Sequence, residues 1–341
     1  MALHLLFTCA GRRNYLINYF KIALKGRGKV FAADMSHSAP AMVDADVAIK
    51  VPGIYSDTYI SELKAIIKKH HINAIISLND LELPIISKHK AFLELDTNCK
   101  VLISNEAIID LAFDKIKTFN FLSSIGLKTP KTFTSIKNVK QALVDNSLQF
   151  PLVVKPRWGS ASIGIDFPET MEELELSFKL QHLKLKKSIL KSASENDIEH
   201  AILIQEKING KEYGMDVVND FEGNYIGTFV REKLNMRSGE TDKAVSVIRS
   251  DFDYIGAMIS KHLNHKGSLD CDVFEYKNTL YILEINPRFG GGYPFSHEAG
   301  VNTCAMYIEW LLGNTNIAHF NNYKAGIAFS KCDRLLQIIN D

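Results

Sequence analysis

The first third of the chain alternates short apolar segments with helical patterns, and this alternation limits the fold more than any other sequence feature. Apolar runs at residues 4–8, 29–33 and 74–77 have the length and composition of buried strands, and helical patterns at residues 15–24 and 59–69 separate them. Strands joined by helices run parallel, so the pattern predicts a parallel sheet with helices on both faces. Polar residues follow the strands, at the edge where such sheets bind ligands.

After about residue 108 the pattern changes. A helix is predicted for residues 115–125, and it stops at Gly126. A strand at residues 150–156 leads into a loop of small residues, and a Lys-rich helix is predicted for residues 171–192. The remainder is predicted to be mostly β-structure, with strands at residues 201–206, 213–219, 225–232, 270–276 and 280–286 and a last helix at 303–312.

Composition narrows the class of protein. A chain of 341 residues is long enough for two or three domains, and a formal net charge of +1 gives no general attraction to nucleic acid or to an anionic membrane. Five cysteines without a CxxC pair indicate reduced thiols and a cytoplasmic location. No apolar stretch approaches the roughly 20 residues of a membrane-spanning helix.

The segment Tyr-Ile-Leu-Glu-Ile-Asn-Pro-Arg at 281–288 is the most informative for chemistry. Glu284 and Asn286 are two apart on a strand and leave on the same face, and Asp272 on the preceding strand can lie beside them. Such hard oxygen donors suit Mg²⁺, with Mn²⁺ as a second candidate. Arg288 can grip a phosphate or a carboxylate, and Gly291 lies in a three-glycine turn whose N–H groups can approach an anion.

Lys155 emerges at the end of a buried strand, where an ammonium is costly unless it meets an anion. The small-residue loop at 159–164, which includes Ser160 and Ser162, can fold over phosphates, although a plain hairpin is the alternative. It is not a Walker A loop, because no Gly-Lys-Ser/Thr follows. Lys115 on the predicted helix is a weaker candidate for the same role.

Two further groups of residues are candidates by position. The strand end at Glu206, Lys207 and Ile208 can read an adenine edge with its backbone, and Glu212 can accept hydrogen bonds from a ribose. A polar block follows another strand and is either a substrate contact or a charged surface loop; it contains Arg231, Arg237, Glu240, Thr241 and Lys243.

Four segments in order resemble the ATP-grasp superfamily, in particular stand-alone proteins similar to the carbamoyl-phosphate synthase large subunit. They read PLVVKPRWGSASIG, LIQEKINGKEYGMDVV, REKLNMRSGETDKAVSV and LDCDVFEYKNTLYILEINPRFGGGYP. The resemblance implies a mixed α/β and α+β chain: a Rossmann-like N-terminal domain followed by a two-subdomain ATP-grasp fold. The implied boundaries are 1–108, 109–313 (lid 128–204, C-terminal subdomain 205–313) and a C-terminal extension 314–341.

The resemblance also assigns roles by position. Lys115 and Lys155 would contact ATP phosphates, Asp272, Glu284 and Asn286 would bind Mg²⁺, and Arg288, with Arg237 as a further phosphate contact, would stabilise the transferred phosphoryl group. The carbamoyl-phosphate enzymes typically have Arg at 115 and 155 and Gln at 272, so Lys, Lys and Asp favour amino-acid and peptide ligases. The acid substrate is expected between Arg288 and polar residues of the N-terminal domain, which are Arg12, Arg13, Asn79, Asp80 and Glu82.

These observations predict a ligase that uses Mg²⁺-ATP to activate a carboxylate as an acyl phosphate and couples it to an amine. A small-molecule kinase or carbamoyl-phosphate-type phosphotransferase with the same site, and an ATP-binding sensor without turnover, are the alternatives. An NAD-dependent oxidoreductase is disfavoured, because the first turn reads Cys-Ala-Gly-Arg-Arg and not GxGxxG. The expected partners are a small acid and a small amine, without nucleic acid or membrane, and a homodimer is possible from the resemblance.

Overall fold

The computed structural model describes residues 2–159 and 164–338, and it begins with a five-stranded parallel sheet. The strands are β1 (Leu5–Thr8), β2 (Val30–Asp34), β3 (Val47–Lys50), β4 (Ala74–Ser77) and β5 (Lys100–Val101). They lie in the order β3-β2-β1-β4-β5, with Leu5 aligned to Val30 on one side and to Ala74 on the other. The predicted parallel sheet is therefore confirmed.

Helices cover both faces of this sheet. They are α1 (Asn14–Leu24), α2 (Pro40–Asp44), α3 (Tyr59–His70), α4 (Leu83–Lys88), α5 (Lys90–Glu94) and α6 (Glu106–Phe113). The next helix, α7 (Lys115–Ser124), packs on the C-terminal sheet instead, where its Leu122 is buried. Leu16, Ile17 and Phe20 of α1 are fully buried against Phe7 of β1, and Leu63 of α3 is buried in the cluster on the other face. Burial of one apolar stripe on each helix fixes the carboxyl edge of the sheet as the open side.

A small antiparallel sheet with its helices follows. Its elements are β6 (Thr132–Phe133), α8 (Ile136–Val144), β7 (Leu152–Pro156), α9 (Met171–Leu185), α10 (Lys191–Ser194), the 3-10 helix Glu195–His200 and β8 (Ile202–Glu206), and the strand order is β6-β8-β7. The single helix predicted for residues 171–192 is wrong in length. It ends at Leu185, because Leu185 and Leu190 both turn into the apolar cluster beneath it, which a continuous straight helix would not achieve as well.

The C-terminal half is a six-stranded sheet in the order β13-β12-β9-β10-β11-β14. Its elements are β9 (Lys211–Asn219), β10 (Tyr225–Arg237), β11 (Glu240–Val247), α11 (Ser250–Leu263), β12 (Ser268–Tyr276), β13 (Thr279–Asn286), α12 (Tyr293–Glu298), α13 (Thr303–Leu311), the 3-10 helix Ala318–Phe320 and β14 (Ala328–Ser330). The polar block that sequence analysis left without structure is the hairpin of β10 and β11, and α11 was not predicted.

The N-terminal sheet and the C-terminal half share one apolar core. Phe20 of α1 packs edge-on against Phe289, with ring centroids 5.8 Å apart, and against Tyr307 of α13 at 6.1 Å. This contact sets the carboxyl edge of the parallel sheet against the residues that follow β13. Over the part of the chain that the structure describes, no helix has the length and apolar character needed to cross a membrane.

Candidate active site

The strand pair β12–β13 carries the oxygen-bearing side chains predicted to bind a metal ion. Its register places Asp272 opposite Glu284 and Asp270 opposite Asn286. Since side chains two residues apart in a strand leave on the same face, all four lie together on one side of the pair. Sequence analysis did not include Asp270 in the site. Its position two residues before Asp272 on the same strand could have indicated that both side chains share one face.

The two carboxylates opposite each other differ in their pKa values. Burial, helped by the nearby carboxylates of Asp270 and Glu284, raises the pKa of Asp272 to about 6 against the attraction of Lys233. Burial also opposes ionisation of Glu284, but Lys115 and Lys155 outweigh it and hold the pKa of Glu284 below its usual value. The site therefore holds negative charge that is only partly compensated.

Two lysines approach this face from other elements. Lys155, at the end of β7, is 4% exposed, and burial lowers its pKa to about 8. Lys115, the first residue of α7, lies 3.5 Å from Glu284 and donates a hydrogen bond to the carbonyl of Gly159 at 2.5 Å. Among the described residues, no hydrogen bond or ion pair holds the ammonium of Lys155. A buried cation without a partner is costly, so this geometry favours a bound anion.

Ser160 and Ser162, which were predicted to contact ATP, lie outside the described residues. The flanking Gly159 is described, and its φ of +125° is a backbone conformation that favours glycine. Gly159 lines one small cavity together with Lys115, Glu284 and Asn286, so the start of the loop faces the predicted phosphate site.

Lys233 on β10 is a member of the site that sequence analysis missed. Its ammonium binds Glu212 at 2.7 Å and Asp272 at 2.6 Å, and its side chain is 5% exposed. Burial disfavours its charge, but the two carboxylates raise its pKa above the usual value. Strand alternation would have placed Lys233 on the same face as Arg231, and that was the available signal. Lys233 thus links Glu212, the predicted ribose contact, to Asp272, the predicted metal ligand.

Arg288 is held by carboxylates from two domains. Its guanidinium binds Asp80, which follows β4, at 2.7 Å and Asp270 on β12 at 3.0 Å. Its side chain is 7% exposed, and its Nε has no hydrogen-bond partner within the described part of the chain. Sequence analysis expected the acid substrate between Arg288 and Asp80, and in the structure these two side chains contact each other directly.

Arg231 must be reinterpreted. It was predicted to bind substrate, but its side chain is 1% exposed and binds Asp216 at 2.6 Å and Asp270 at 3.0 Å. A methyl group on Gly214 or Gly292 would collide with its guanidinium, so the backbone is packed closely around it. Arg231 is thus a buried support beneath Asp270. We call the chain of ion pairs formed by Asp216, Arg231, Asp270, Arg288 and Asp80 the paired network.

Glu82 also departs from its predicted role in substrate binding. It is fully buried and accepts hydrogen bonds from the hydroxyls of Thr8 at 2.9 Å, Ser77 at 2.6 Å and Tyr59. Burial raises its pKa. Since these donors come from β1, β4 and α3, Glu82 ties the carboxyl edge of the parallel sheet together and does not face a ligand.

The residues predicted to hold adenine and ribose lie at the end of β8 and the start of β9. The carboxylate and the N–H of Glu206 both bind the backbone of Lys131, so its N–H is already used. Ile208 makes no hydrogen bond to another described residue, which leaves its backbone groups for a ligand. Lys207 places its ammonium 5.2 Å from the centre of the Phe167 ring. The predicted adenine contact by Ile208 is compatible with this geometry.

A larger cavity, of about 800 Å³, lies beside the paired network, between α1, the β10–β11 turn and the segment after β14. Arg12 and Glu240 line it, and Arg13 lies close to both Glu240 and Gly291. Arg237 is on its rim, and binds Asp242 and Asp333 at the surface. The predicted grouping of Arg237 with Arg288 is therefore not observed. Lys243 is exposed on β11, where its backbone pairs with Ser330 of β14.

The donor set fits a divalent cation that is shared with phosphate oxygens. Two carboxylates and one amide share a face, and the pKa of Asp272 is raised first by burial and then by like charges, both of which a bound cation would offset. Within the described ranges, no group of three or more His, Cys, Asp or Glu side chains could enclose a metal ion. Asp272, Glu284 and Asn286 therefore suit a site that a ligand completes, as Mg²⁺ sites usually are.

Comparison with known families gives two matches. Residues 5–102 match the family described as PylC-like, N-terminal domain, and residues 199–334 match the family described as ATP-grasp in the biosynthetic pathway with Ter operon. The carbamoyl phosphate synthase large chain of Clostridium beijerinckii is 25% identical over 215 residues, which cover 60% of this chain and 19% of that one. The chain thus spans about a fifth of the length of this curated relative.

Solved structures share the architecture at low sequence identity. The biotin carboxylase domain of the Hydrogenobacter thermophilus 2-oxoglutarate carboxylase, in complex with MgADP, ADP and bicarbonate, matches with a TM-score of 0.74 at 15% identity, covering 96% of this chain and 74% of that one. An L-amino acid ligase from Bacillus licheniformis matches with a TM-score of 0.68 at 18% identity, covering 95% and 77%. These matches show that the fold extends over nearly the whole chain.

Proposed function

This chain carries an ATP-grasp domain behind a PylC-like N-terminal domain, and we propose that it is an ATP-dependent carboxylate–amine ligase. In this proposal Mg²⁺-ATP phosphorylates a small carboxylic acid, and an amine then displaces phosphate from the acyl phosphate to give an amide, ADP and phosphate. The observation that carries it is the buried ammonium of Lys155, which faces Glu284 and is held by no described side chain. A nucleotide phosphate is the anion that such a position would take.

In the proposed nucleotide pose, the phosphates lie between β7 and the β12–β13 pair. Lys155 and Lys115 supply two cations to the phosphate oxygens, while Glu212 and Ile208 hold the nucleoside end. The biotin carboxylase domain named above shares this fold and was solved in complex with MgADP, which supports nucleotide binding as the role of the fold. Positioning and charge compensation supply most of phosphoryl-transfer catalysis, so no covalent nucleophile is required.

Asp272, Glu284 and Asn286 are the residues that would hold Mg²⁺, which when bound neutralises phosphate charge. Lys233 lies on one side of Asp272, with its ammonium 2.6 Å from the carboxylate. Lys233 therefore sets how much negative charge Asp272 and Glu212 present to an incoming nucleotide. This role deepens the nucleotide site beyond the residues predicted from the sequence.

Arg288 is the residue that would stabilise the transferred phosphoryl group and the acyl phosphate. Its two ion pairs fix the guanidinium plane before substrate arrives, which lowers the entropy cost of positioning it. The acid would reach Arg288 from the 800 Å³ cavity, passing Arg13 and Gly291. The amine would then attack from the same cavity.

The test is release of ADP by the purified chain in the presence of Mg²⁺-ATP and panels of acids and amines. We expect release that requires one acid, rises when a matching amine is added, and yields an amide detectable by mass spectrometry. Exchange of isotope between the bridging and non-bridging positions of ATP with the acid alone would report the acyl phosphate. Tight ATP binding with only background ADP release across broad panels would contradict the ligase proposal. Exchange without amide for any amine would instead indicate a kinase.

A further inference from the structure

The solvent-facing side of α9 (Met171–Leu185) carries three exposed leucines. Leu176, Leu180 and Leu183 are 63%, 46% and 54% exposed, whereas Leu174 and Leu185 on the opposite side are buried. Single exposed leucines are ordinary on protein surfaces, but three in one row form a continuous apolar strip. Nothing in the proposed ligase reaction uses this strip.

The spacing of the strip is that of a coiled-coil seam. Leu176, Leu180 and Leu183 are separated by four and then three residues, which places them within about 60° of one another around the helix axis. The same spacing extends to Glu173 at the start of the helix, whereas Lys187 lies in the turn that follows the end of α9. A seam of this kind packs against a second helix and not against a flat surface.

Charge is distributed along α9 in two halves. The first turn carries Glu172 and Glu173, and the end of the helix with the following turn carries Lys184, Lys186 and Lys187. Leu180 lies close to the midpoint between the two groups. An identical helix that runs antiparallel therefore places the acidic start of each copy beside the basic end of the other, on both sides of the leucine strip.

We propose that this face of α9 is a two-fold interface between two copies of the chain, with the helices antiparallel. The interface is isologous, because the same surface is used by both partners. A parallel pairing would bring like charges together at both ends, which selects the antiparallel arrangement.

The position of α9 in the fold leaves the proposed nucleotide site free. Leu174 and Leu185 pack with Leu152, Val154 and Ile204, which is one face of the small sheet. Lys155 follows Val154 and therefore lies on the other face of β7, toward Glu284. Two copies joined through α9 thus keep both nucleotide sites open.

The size of the strip sets the expected strength. A helix of 15 residues is about 22 Å long, so a pair of them gives an interface at the small end of the specific range. We expect a reversible dimer with a dissociation constant on the order of 10–100 µM.

The test is sedimentation of the full chain over a concentration series, without added nucleotide. We expect the average mass to rise from 38.3 kDa toward twice that value. Leu180→Asp should keep the chain monomeric at all concentrations tested, whereas Ile22→Asp should leave the dimer intact, since Ile22 is 70% exposed on a different helix. Far-UV circular dichroism and ATP affinity of both variants report whether the fold is retained.

Charge reversal tests the antiparallel arrangement itself. Glu172→Lys in one chain, or Lys186→Glu with Lys187→Glu in another, should each weaken the dimer several-fold, because like charges then meet at both ends. Mixing the two variants should restore association, since opposite charges meet again. Glu173 is left unchanged because its carboxylate accepts a hydrogen bond from the N–H of Glu169.

Three results would each overturn the proposal. They are a wild-type chain that stays monomeric at 100 µM and above (about ten times the tighter expected constant), a dimer unaffected by Leu180→Asp, and a mixture of the charge-reversal variants that does not associate.

Discussion

Two charged clusters meet at the β12–β13 pair, and they differ in whether their charges are already compensated. The paired network runs from Asp216 through Arg231, Asp270 and Arg288 to Asp80, and every member has at least one opposite charge within 3.0 Å. In the open cluster, which consists of Lys115, Lys155, Asp272, Glu284 and Lys233, Lys155 has no such partner among the described residues. Lys155 and Lys233 of the open cluster are as deeply buried as the paired network, so burial of a cation alone does not distinguish support from binding site.

The difference has a physical basis. Removing two charges from water costs free energy that is recovered only if they meet at close range and their remaining polar atoms are satisfied. The paired network meets that condition and is rigid, which suits a cluster that fixes Arg288. The open cluster does not meet it, so its remaining charge is available to a ligand. The comparison therefore predicts that changes in the open cluster affect turnover, whereas changes at Arg231, the buried support of the paired network, affect stability.

The largest expected effect is on turnover, from Glu284→Gln. Glutamine keeps the shape of the side chain but removes the charge that pairs with Lys115 and suits a divalent cation. We expect ADP release to fall about 10⁴-fold, or roughly 5 kcal/mol of transition-state stabilisation. A coupled assay at saturating ATP measures this, and thermal unfolding should show little change. A variant with wild-type turnover would remove Glu284 from the proposed site.

The next effect is on stability, from Arg231→Leu. The change leaves Asp216 and Asp270 buried without their shared cation, which is expected to cost about 3–4 kcal/mol of the free energy of unfolding. Urea denaturation followed by circular dichroism measures the loss. Arg237→Leu is the matched control, since Arg237 pairs with Asp242 and Asp333 at the surface and its loss should leave the midpoint nearly unchanged. Equal midpoints for the two variants would contradict the distinction between the clusters.

The sequence alone was sufficient for the parallel sheet, for the β12–β13 pair and for the meeting of Asp272 with Glu284. These features follow from local periods: two in strands and short apolar runs between helices. The same reasoning assigned Arg231 to substrate and Glu82 to a ligand. In both cases the residue type and the strand end suggested a site, while the partners that bury the side chain come from distant segments: Asp216 and Asp270 for Arg231, and Thr8 and Tyr59 for Glu82.

Lys233 shows the same limit from the opposite direction. It lies in a charged stretch that resembles a surface loop, and only the long hairpin β10–β11 brings its ammonium between Glu212 and Asp272. Packing against the sheets also determines where α9 ends, at Leu185, and where α11 lies. The sequence pattern of α9 is only weakly amphipathic, because leucines also occupy its solvent-facing side. The sequence does not reveal which of two similar charged residues will meet an ion-pair partner from a distant segment of the chain.

The smallest expected effect is a dependence of ATP affinity on pH, which arises from Lys155 in the open cluster. Burial lowers the pKa of Lys155 to about 8, so in the free protein Lys155 is protonated below that pH and neutral above it. A phosphate binds the protonated form, and ATP affinity should therefore be constant below pH 8 and fall as pH rises above it, by up to about tenfold per unit, or roughly 1.4 kcal/mol. Calorimetric titration with Mg²⁺-ATP between pH 7 and 9.5, values that bracket the pKa by about a unit either side, measures this dependence. Lys155→Arg, which stays charged over the whole range, should give a flat profile. The two arginines of the paired network, Arg231 and Arg288, stay charged over this interval, because the neighbouring carboxylates raise their pKa values against the effect of burial. A wild-type profile as flat as that of Lys155→Arg would mean that Lys155 is not the uncompensated cation, and the contrast between the two clusters would then rest on geometry alone.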